Sequence, residues 1–148
     1  MEFGLRLSLR SEYALLALTH LARQDPLVYH SIQSIAQEQR IPPKFLEPIV
    51  LILRQGGYLR AARGQRSGYR LAKPARQISL AEIIRLIEDA SDSPNPGNKQ
   101  VYESTPIEIE PLLMHAVREI RAMVKTRLEQ TSIDDVTFPP GGRRPRYT

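Results

Sequence analysis

Between Tyr58 and Leu71 the chain reads Tyr-Leu-Arg-Ala-Ala-Arg-Gly-Gln-Arg-Ser-Gly-Tyr-Arg-Leu, two short strand-like runs on either side of a tip of glycine and arginine. The pattern predicts a β-hairpin, with Gly64 and Gly68 where positive φ is needed and a loop longer than a two-residue turn. From Arg54 to Arg76 there are six arginines and one lysine and no acidic residue. An unneutralised cationic ribbon of this kind suits a polyanion, DNA above all.

What precedes the hairpin narrows the fold. Ala14, Ala17, Leu18 and Leu21 recur at helical spacing, so a helix is expected from about Arg10 to Arg23, stopped by Asp25-Pro26. Ser31 can cap a second, short helix carrying Ile32, Ile35 and Ala36 that fades at Arg40. The segment Pro42 to Gly57 has dense apolar spacing and a glycine pair suited to a C-terminal cap. Pro48 inside it would cost ~3 kcal/mol, so the regular helix either begins near Leu46 or is kinked. Helix, turn, helix, hairpin is winged-helix order.

Beyond the hairpin, Ser79-Leu-Ala-Glu82 matches a capping box ahead of Leu80, Ile83, Ile84 and Ile87, predicting a helix to about Asp89. Ser91 to Pro106 reads as a loop. Ile109, Leu113, Ala116, Val117, Ile120, Val124 and Leu128 then trace one apolar stripe, expected to lie on a single long helix. A stripe of that length near the end of a small chain calls for a partner surface, most simply a second copy. Ser132-Ile-Asp-Asp is expected to start a short final turn, and Gly141 to Thr148 to form a disordered basic tail.

The expected fold is mainly α with a small β-hairpin: a winged helix-turn-helix domain plus a long C-terminal dimerisation helix. The divisions are a DNA-binding region over 1–78, a connecting helix and loop over 79–106, a dimerisation helix and short turn over 107–136, and a basic tail over 137–148. Charge follows the same division. Residues 1–76 hold twelve Lys/Arg and five Asp/Glu, a net +7, whereas residues 77–140 hold six and eleven, a net −5. A basic half joined to an acidic half is expected when one half faces phosphates. The acidic neighbourhood of Asp89, Asp92, Glu103, Glu108 and Glu110 reads as a solvated face that would also turn the basic half toward DNA.

Other functions find little support. No apolar run approaches a membrane span and no signal peptide is evident, so a cytoplasmic location is expected. The absence of cysteine excludes disulfides, thiolate catalysis and thiolate-held clusters. His20, His30 and His115 are scattered, without a close pair of the kind that marks zinc. No nucleophile–base set or phosphate-cradling glycine loop is present, so neither catalytic residues, metal nor cofactor is expected.

Leu9-Arg-Ser-Glu-Tyr-Ala-Leu, Ile41 to Glu47, Leu53-Arg-Gln-Gly-Gly-Tyr-Leu, the Arg63-Gly…Gly68-Tyr-Arg-Leu wing and Ile78-Ser-Leu-Ala-Glu-Ile together resemble the Rrf2-type transcriptional regulators over about residues 5–130. The resemblance implies a bacterial homodimer of winged helices with the long helix crossing between subunits. It also implies that Pro42, Lys44, Phe45, Glu47 and Pro48 enter the major groove, and that Arg63, helped by Gln65 and Arg66, enters the minor groove. Tyr13 matches a position near the DNA backbone. Two departures stand out. Many members carry three cysteines between the fourth helix and the long helix as ligands of an iron–sulfur cluster, and Ser91 to Pro106 has none. Pro48 stands where relatives often carry an amide or another hydrogen-bonding side chain. Some relatives also lack cysteines and respond instead to metabolites or protein partners, so the resemblance leaves room here for an unidentified small-molecule or protein effector.

Each residue also has a bland reading. Arg63, between Ala62 and Gly64, is placed for close approach to a narrow minor groove, although an exposed turn alone would also tolerate it. Glu47 either faces the positive end of its helix or accepts from a cytosine amino group. Lys44 suits a phosphate or guanine contact. Phe45, beside an apolar run, is more often a core residue, and Tyr58 and Tyr69 are expected to pack on each other across the hairpin. Tyr13 divides between a phosphate hydrogen bond and the apolar face of its helix. The competing readings of the whole chain are a winged-helix protein-interaction module and a DNA binder without sequence preference.

Overall fold

The computed structural model describes residues 7–65, 67–91 and 106–142. Helix α1 (Leu9–Arg23) begins where the Ser8 hydroxyl accepts from the Ser11 backbone N–H at 3.1 Å, satisfying one of the orphan donors of the first turn. Helix α2 (Ile32–Gln39) begins the same way, Ser31 accepting from Ser34 N–H at 3.1 Å, and ends at Arg40, which takes a left-handed conformation with φ of 55°.

Helix α3 (Pro43–Gln55) starts at Pro43, not near Leu46, and continues through Pro48. The physical reason is at its N-terminus. Pro42 is the capping residue and Pro43 the first helical one, positions where a missing N–H costs no intrahelical bond and a fixed φ is already helical. At the other end Gly57, with φ of 86°, lets the chain reverse so that Gly57 N–H meets the Arg54 carbonyl at 3.0 Å and Tyr58 N–H the Leu53 carbonyl at 2.9 Å.

The wing pairs β1 (Leu59–Ala62) with β2 (Gly68–Leu71) antiparallel, in the register Leu59↔Leu71, Arg60↔Arg70, Ala61↔Tyr69 and Ala62↔Gly68. The expected Tyr58–Tyr69 pair does not form. Burial of Leu59 sets the register, which puts Tyr58 opposite Ala72, where Ala72 N–H donates to the Tyr58 carbonyl at 2.9 Å. The Tyr58 hydroxyl instead donates to Glu82 Oε1 at 2.6 Å, and the Lys73 ammonium stands 4.7 Å from its ring centroid. Tyr69 forms a bridge with His30, through two backbone hydrogen bonds of 2.8 Å that hold the wing to the segment before α2.

Helix α4 (Leu80–Ser91) opens on the expected capping box: Glu82 N–H donates to Ser79 Oγ at 3.1 Å, and Ser79 N–H to Glu82 Oε2 at 2.8 Å. It runs past Asp89 to Ser91. Residues 92–105 of the expected loop, with Asp92 and Glu103, lie outside the described residues, as do Arg66 and the tail from 143 to 148. Pro106 belongs to a short 3-10 turn, Pro106–Ile109, so Ile109 lies outside the long helix α5 (Pro111–Gln130). Pro111, suited to a first helical position, sets that boundary. Helix α6 (Ile133–Thr137) starts from a second capping box, between Ser132 and Asp135.

Leu18, Ile35, Leu46, Ile49, Leu53, Ile78, Ile83, Ile87 and Ile133 are wholly buried in one core formed by α1 to α4, the wing base and α6. Each such side chain stabilises the fold by ~1.5–3 kcal/mol. Ile133 ties the end of the long helix back to this core: its N–H donates to the Ile78 carbonyl at 2.8 Å, and Leu80 N–H to the Thr131 carbonyl at 2.8 Å. The result is a winged helix with a long helix beside it.

Candidate nucleic-acid interface

Helix α3 divides by period. Leu46, Ile49, Val50 and Leu53 are buried, whereas Pro42, Lys44, Phe45, Glu47, Pro48 and Leu51 are exposed. Phe45, expected more often in a core, is 52% exposed, because Leu46 takes the inward position beside it. The Lys44 ammonium stands 5.8 Å from its ring centroid. Pro48 brings its cost to the solvent side, where the Lys44 carbonyl, deprived of a helical N–H partner, can be met by water or a ligand donor.

Between the start of α2, the outer face of α3 and the wing lies a cleft of about 290 Å³. It brings together Glu47 and Arg54 of α3, Ser31 and Gln33 at the start of α2, and Arg63 and Ser67 of the wing. Among the described residues of the expected site, only Glu47 and Arg63 line it. Pro42, Lys44, Phe45 and Pro48 form the exposed ridge of α3 beside it, and Gln65 is exposed at the wing tip. Tyr13 is half-buried on α1 and packs against the core. The neighbouring Ser11 is buried and donates to Glu88 Oε1 at 3.1 Å.

Arg54, Gln33, Ser31 and Ser67 were not singled out from the sequence. Arg54 had a signal: it follows Glu47 by seven positions, two helical turns, and so shares its face. Gln33 and Ser67 had none, because they join the cleft only through packing of α2 and the wing against α3. Arginines beside exposed hydroxyl and amide groups can bind phosphates and base edges together, and Glu47 supplies an acceptor.

The structure also joins two histidines that are distant in sequence. The rings of His20 and His30 meet edge to face at 6.0 Å, and the Nε2 atom of each is buried without a hydrogen-bond partner among the described residues. Burial, reinforced by the neighbouring His30, lowers the pKa of His20 from its ordinary value of 6.5. Among the described residues no group of three or more His, Cys, Asp or Glu could hold a metal ion, and no helix is long and apolar enough to cross a membrane.

The other expected set lies on α5. Val124 and Leu128 pack against Ala81 and Ile84 of α4, and Val117 is half-buried. Leu113 and Ile120 are exposed, as is Ile109 in the preceding turn. Leu112 at 85% and Met123 at 71% exposure add apolar surface that the stripe did not include.

Comparison with known proteins matches this arrangement. The Rrf2 sequence profile, described as an iron-dependent transcriptional regulator, matches residues 7–138. Rv1287 of Mycobacterium tuberculosis, named as an HTH-type transcriptional regulator, is 33% identical over 97% of this chain and 86% of its own length. The HTH-type transcriptional regulator IscR of Cereibacter sphaeroides is 28% identical over 89% of this chain and 86% of its own. Among solved structures, CymR, the global cysteine regulator of B. subtilis, superposes with a TM-score of 0.69 at 27% identity, covering 90% of this chain and 97% of that one.

Proposed function

This chain belongs to the Rrf2 family of DNA-binding transcriptional regulators, and we propose that it acts as a homodimer on a pseudo-palindromic operator, without an iron–sulfur cluster. The observation that carries the reading is the meeting of Glu47 and Arg54 of α3 with the wing's Arg63 in one cleft, beside the exposed ridge of α3. Lys44, Phe45, Glu47 and Pro48, with Pro42, meet the major groove, and Arg63, Gln65 and Arg66 the minor groove. Tyr13 approaches the phosphate backbone. Residues 1–78 are the DNA-binding region, 79–106 a connecting and sensing region and 107–136 the dimerisation helix with a short C-terminal turn; Thr137, the buried end of α6, and Phe138, which lines a cavity with Leu21, belong to the folded body, so the basic tail starts later than 137. The chain works in the cytoplasm and answers an effector whose identity is open.

The exposed Ile109, Leu113 and Ile120 supply the dimer surface together with the half-buried Val117, and with Val124 and Leu128, which also pack on α4, at its edge. Symmetric self-association is the simplest cover for such a face and matches the two-fold symmetry of an operator. The family's iron dependence does not fit this chain as a thiolate-held cluster, because none of its 148 residues is cysteine. A cluster needs those donors.

Selection of bound fragments from bacterial genomic DNA, competed with random duplex, tests the reading. One recurrent inverted repeat is the expected result; equal retention of all fragments would refute sequence specificity. If six to ten phosphates are neutralised, affinity should fall ~10³–10⁵-fold between 50 and 200 mM salt.

A further inference from the structure

The wing has two faces with different chemistry. Ala61 and its partner Tyr69 line the cleft that holds Arg63. The adjacent pair, Arg60 opposite Arg70, lines a separate cavity of about 490 Å³. Its apolar lining includes Leu21 and Ala22 of α1, Leu71 and Phe138.

Two guanidinium groups directly opposite each other on antiparallel strands repel and destabilise the pair. Lys73 also lines the cavity, but its ammonium stands over the Tyr58 ring beside Glu82, which leaves the two arginines as the cavity's cations. Arg70 is oriented by donating to the Pro26 carbonyl at 3.3 Å and by lying 4.8 Å from the Tyr29 ring centroid, contacts that position its charge without neutralising it. Arg60 has no side-chain hydrogen bond or ion pair among the described residues. Two carboxylates also line the cavity: Asp25, whose Oδ1 already accepts from Leu27 N–H at 2.9 Å, and Asp134. Like charges placed opposite each other beside an apolar lining suit an anion that carries an apolar body.

We propose that this cavity binds a small organic anion with an apolar body, its charged head between Arg60 and Arg70 and its body against Leu21 and Phe138, and that occupancy clamps the wing to α1. The clamp follows because the two arginines belong to the wing strands while Leu21 belongs to the body. Its effect on DNA affinity rests on the regulatory reading above, but occupancy of the cavity does not.

The test uses the full chain and titration calorimetry at constant ionic strength. Benzoate and phenyl phosphate are the probes; benzyl alcohol supplies the same body without charge, and acetate and inorganic phosphate the charge without the body. Saturable binding of at least one aromatic anion is expected, stronger than that of the alcohol or the bare anions, and the better probe identifies the head group as carboxylate or phosphate. Arg60→Gln, on an exposed side chain, should weaken it about tenfold, with Arg60→Lys intermediate and unchanged circular dichroism confirming the fold. No saturable binding, equal binding of benzyl alcohol, or indifference to Arg60→Gln would overturn the site. Binding without any change in affinity for a selected operator would overturn the clamp alone, and lack of any operator would show separately in the fragment selection.

Discussion

Gly68→Ala should release the wing from the body. Gly68 is buried with φ of 155°, and a Cβ built on it would lie 2.6 Å from the His30 carbonyl oxygen and 2.7 Å from its carbon. Those are backbone atoms that no rotamer change can move. The same His30 carbonyl accepts from Tyr69 N–H at 2.8 Å, so relief of the clash breaks the bridge and both its hydrogen bonds. Two backbone bonds at ~0.5–1.5 kcal/mol each, plus ~1–3 kcal/mol of backbone strain, give a loss of about 2–6 kcal/mol. That is a large share of the ~5–15 kcal/mol that holds a typical domain together. Gly64→Ala is the internal control: its φ is 94° but nothing lies within 4 Å of the added carbon, so only the strain of ~1–3 kcal/mol applies. Urea unfolding measures both variants, and amide hydrogen exchange reports the bridge directly through Tyr69 and His30. The reasoning fails if Gly68→Ala is no more destabilising than Gly64→Ala, or if the Tyr69 amide keeps its protection.

Four further outcomes are expected. Arg63→Ala should weaken operator binding by ~1–3 kcal/mol in fluorescence anisotropy at fixed salt; unchanged affinity would remove the wing from the interface. Ile120→Glu, which puts charge on the exposed face of α5, should shift sedimentation from dimer to monomer, and a wild-type chain already monomeric at micromolar concentration would refute the dimer. Burial alone would raise the Glu82 pKa, but hydrogen bonds from the Ser79 backbone, the Tyr58 hydroxyl and the Ser79 hydroxyl, with Lys73 nearby, outweigh it and hold the carboxyl below its ordinary value of 4.5. A depressed carboxyl contributes stability above its unfolded pKa and loses it as pH falls through the folded one, so Glu82→Gln should flatten the acid limb of stability against pH; an unchanged limb would contradict it. His20, held neutral mainly by burial, acts in the same direction nearer neutrality: stability should decline as pH drops below 6.5, and a His20→Gln variant that declines equally would exclude it as the source.

Local chemistry made much of the fold legible. The hydroxyls of Ser31, Ser79 and Ser132 each satisfy orphan donors of a first helical turn, a bond that depends on neighbours within three residues. Gly57 and Gly64 mark positive φ for a similarly local reason. The uncompensated arginines around Arg63 suggested a wing because their charge has no carboxylate within the segment. Pro48 left α3 open between a start near Leu46 and a kink because a helix-interior proline is costly, and the two prolines at the N-terminus set the start at Pro43. Phe45 misled for another reason: which of two adjacent apolar residues turns inward depends on the phase of the helix, and Leu46 took the core.

The order of sequence positions was enough to determine the helices, their caps, the hairpin and the segregation of charge, because each arises from interactions a few residues long. Tertiary packing alone decided that Gln33, Arg54 and Arg63 share a cleft, that Tyr58 turns from Tyr69 to Glu82, and that His20 meets His30. It also returned Ile133 to a core built largely by earlier segments. Those juxtapositions join residues far apart along the chain, and their geometry is set by how whole elements fill space together, which no local pattern encodes.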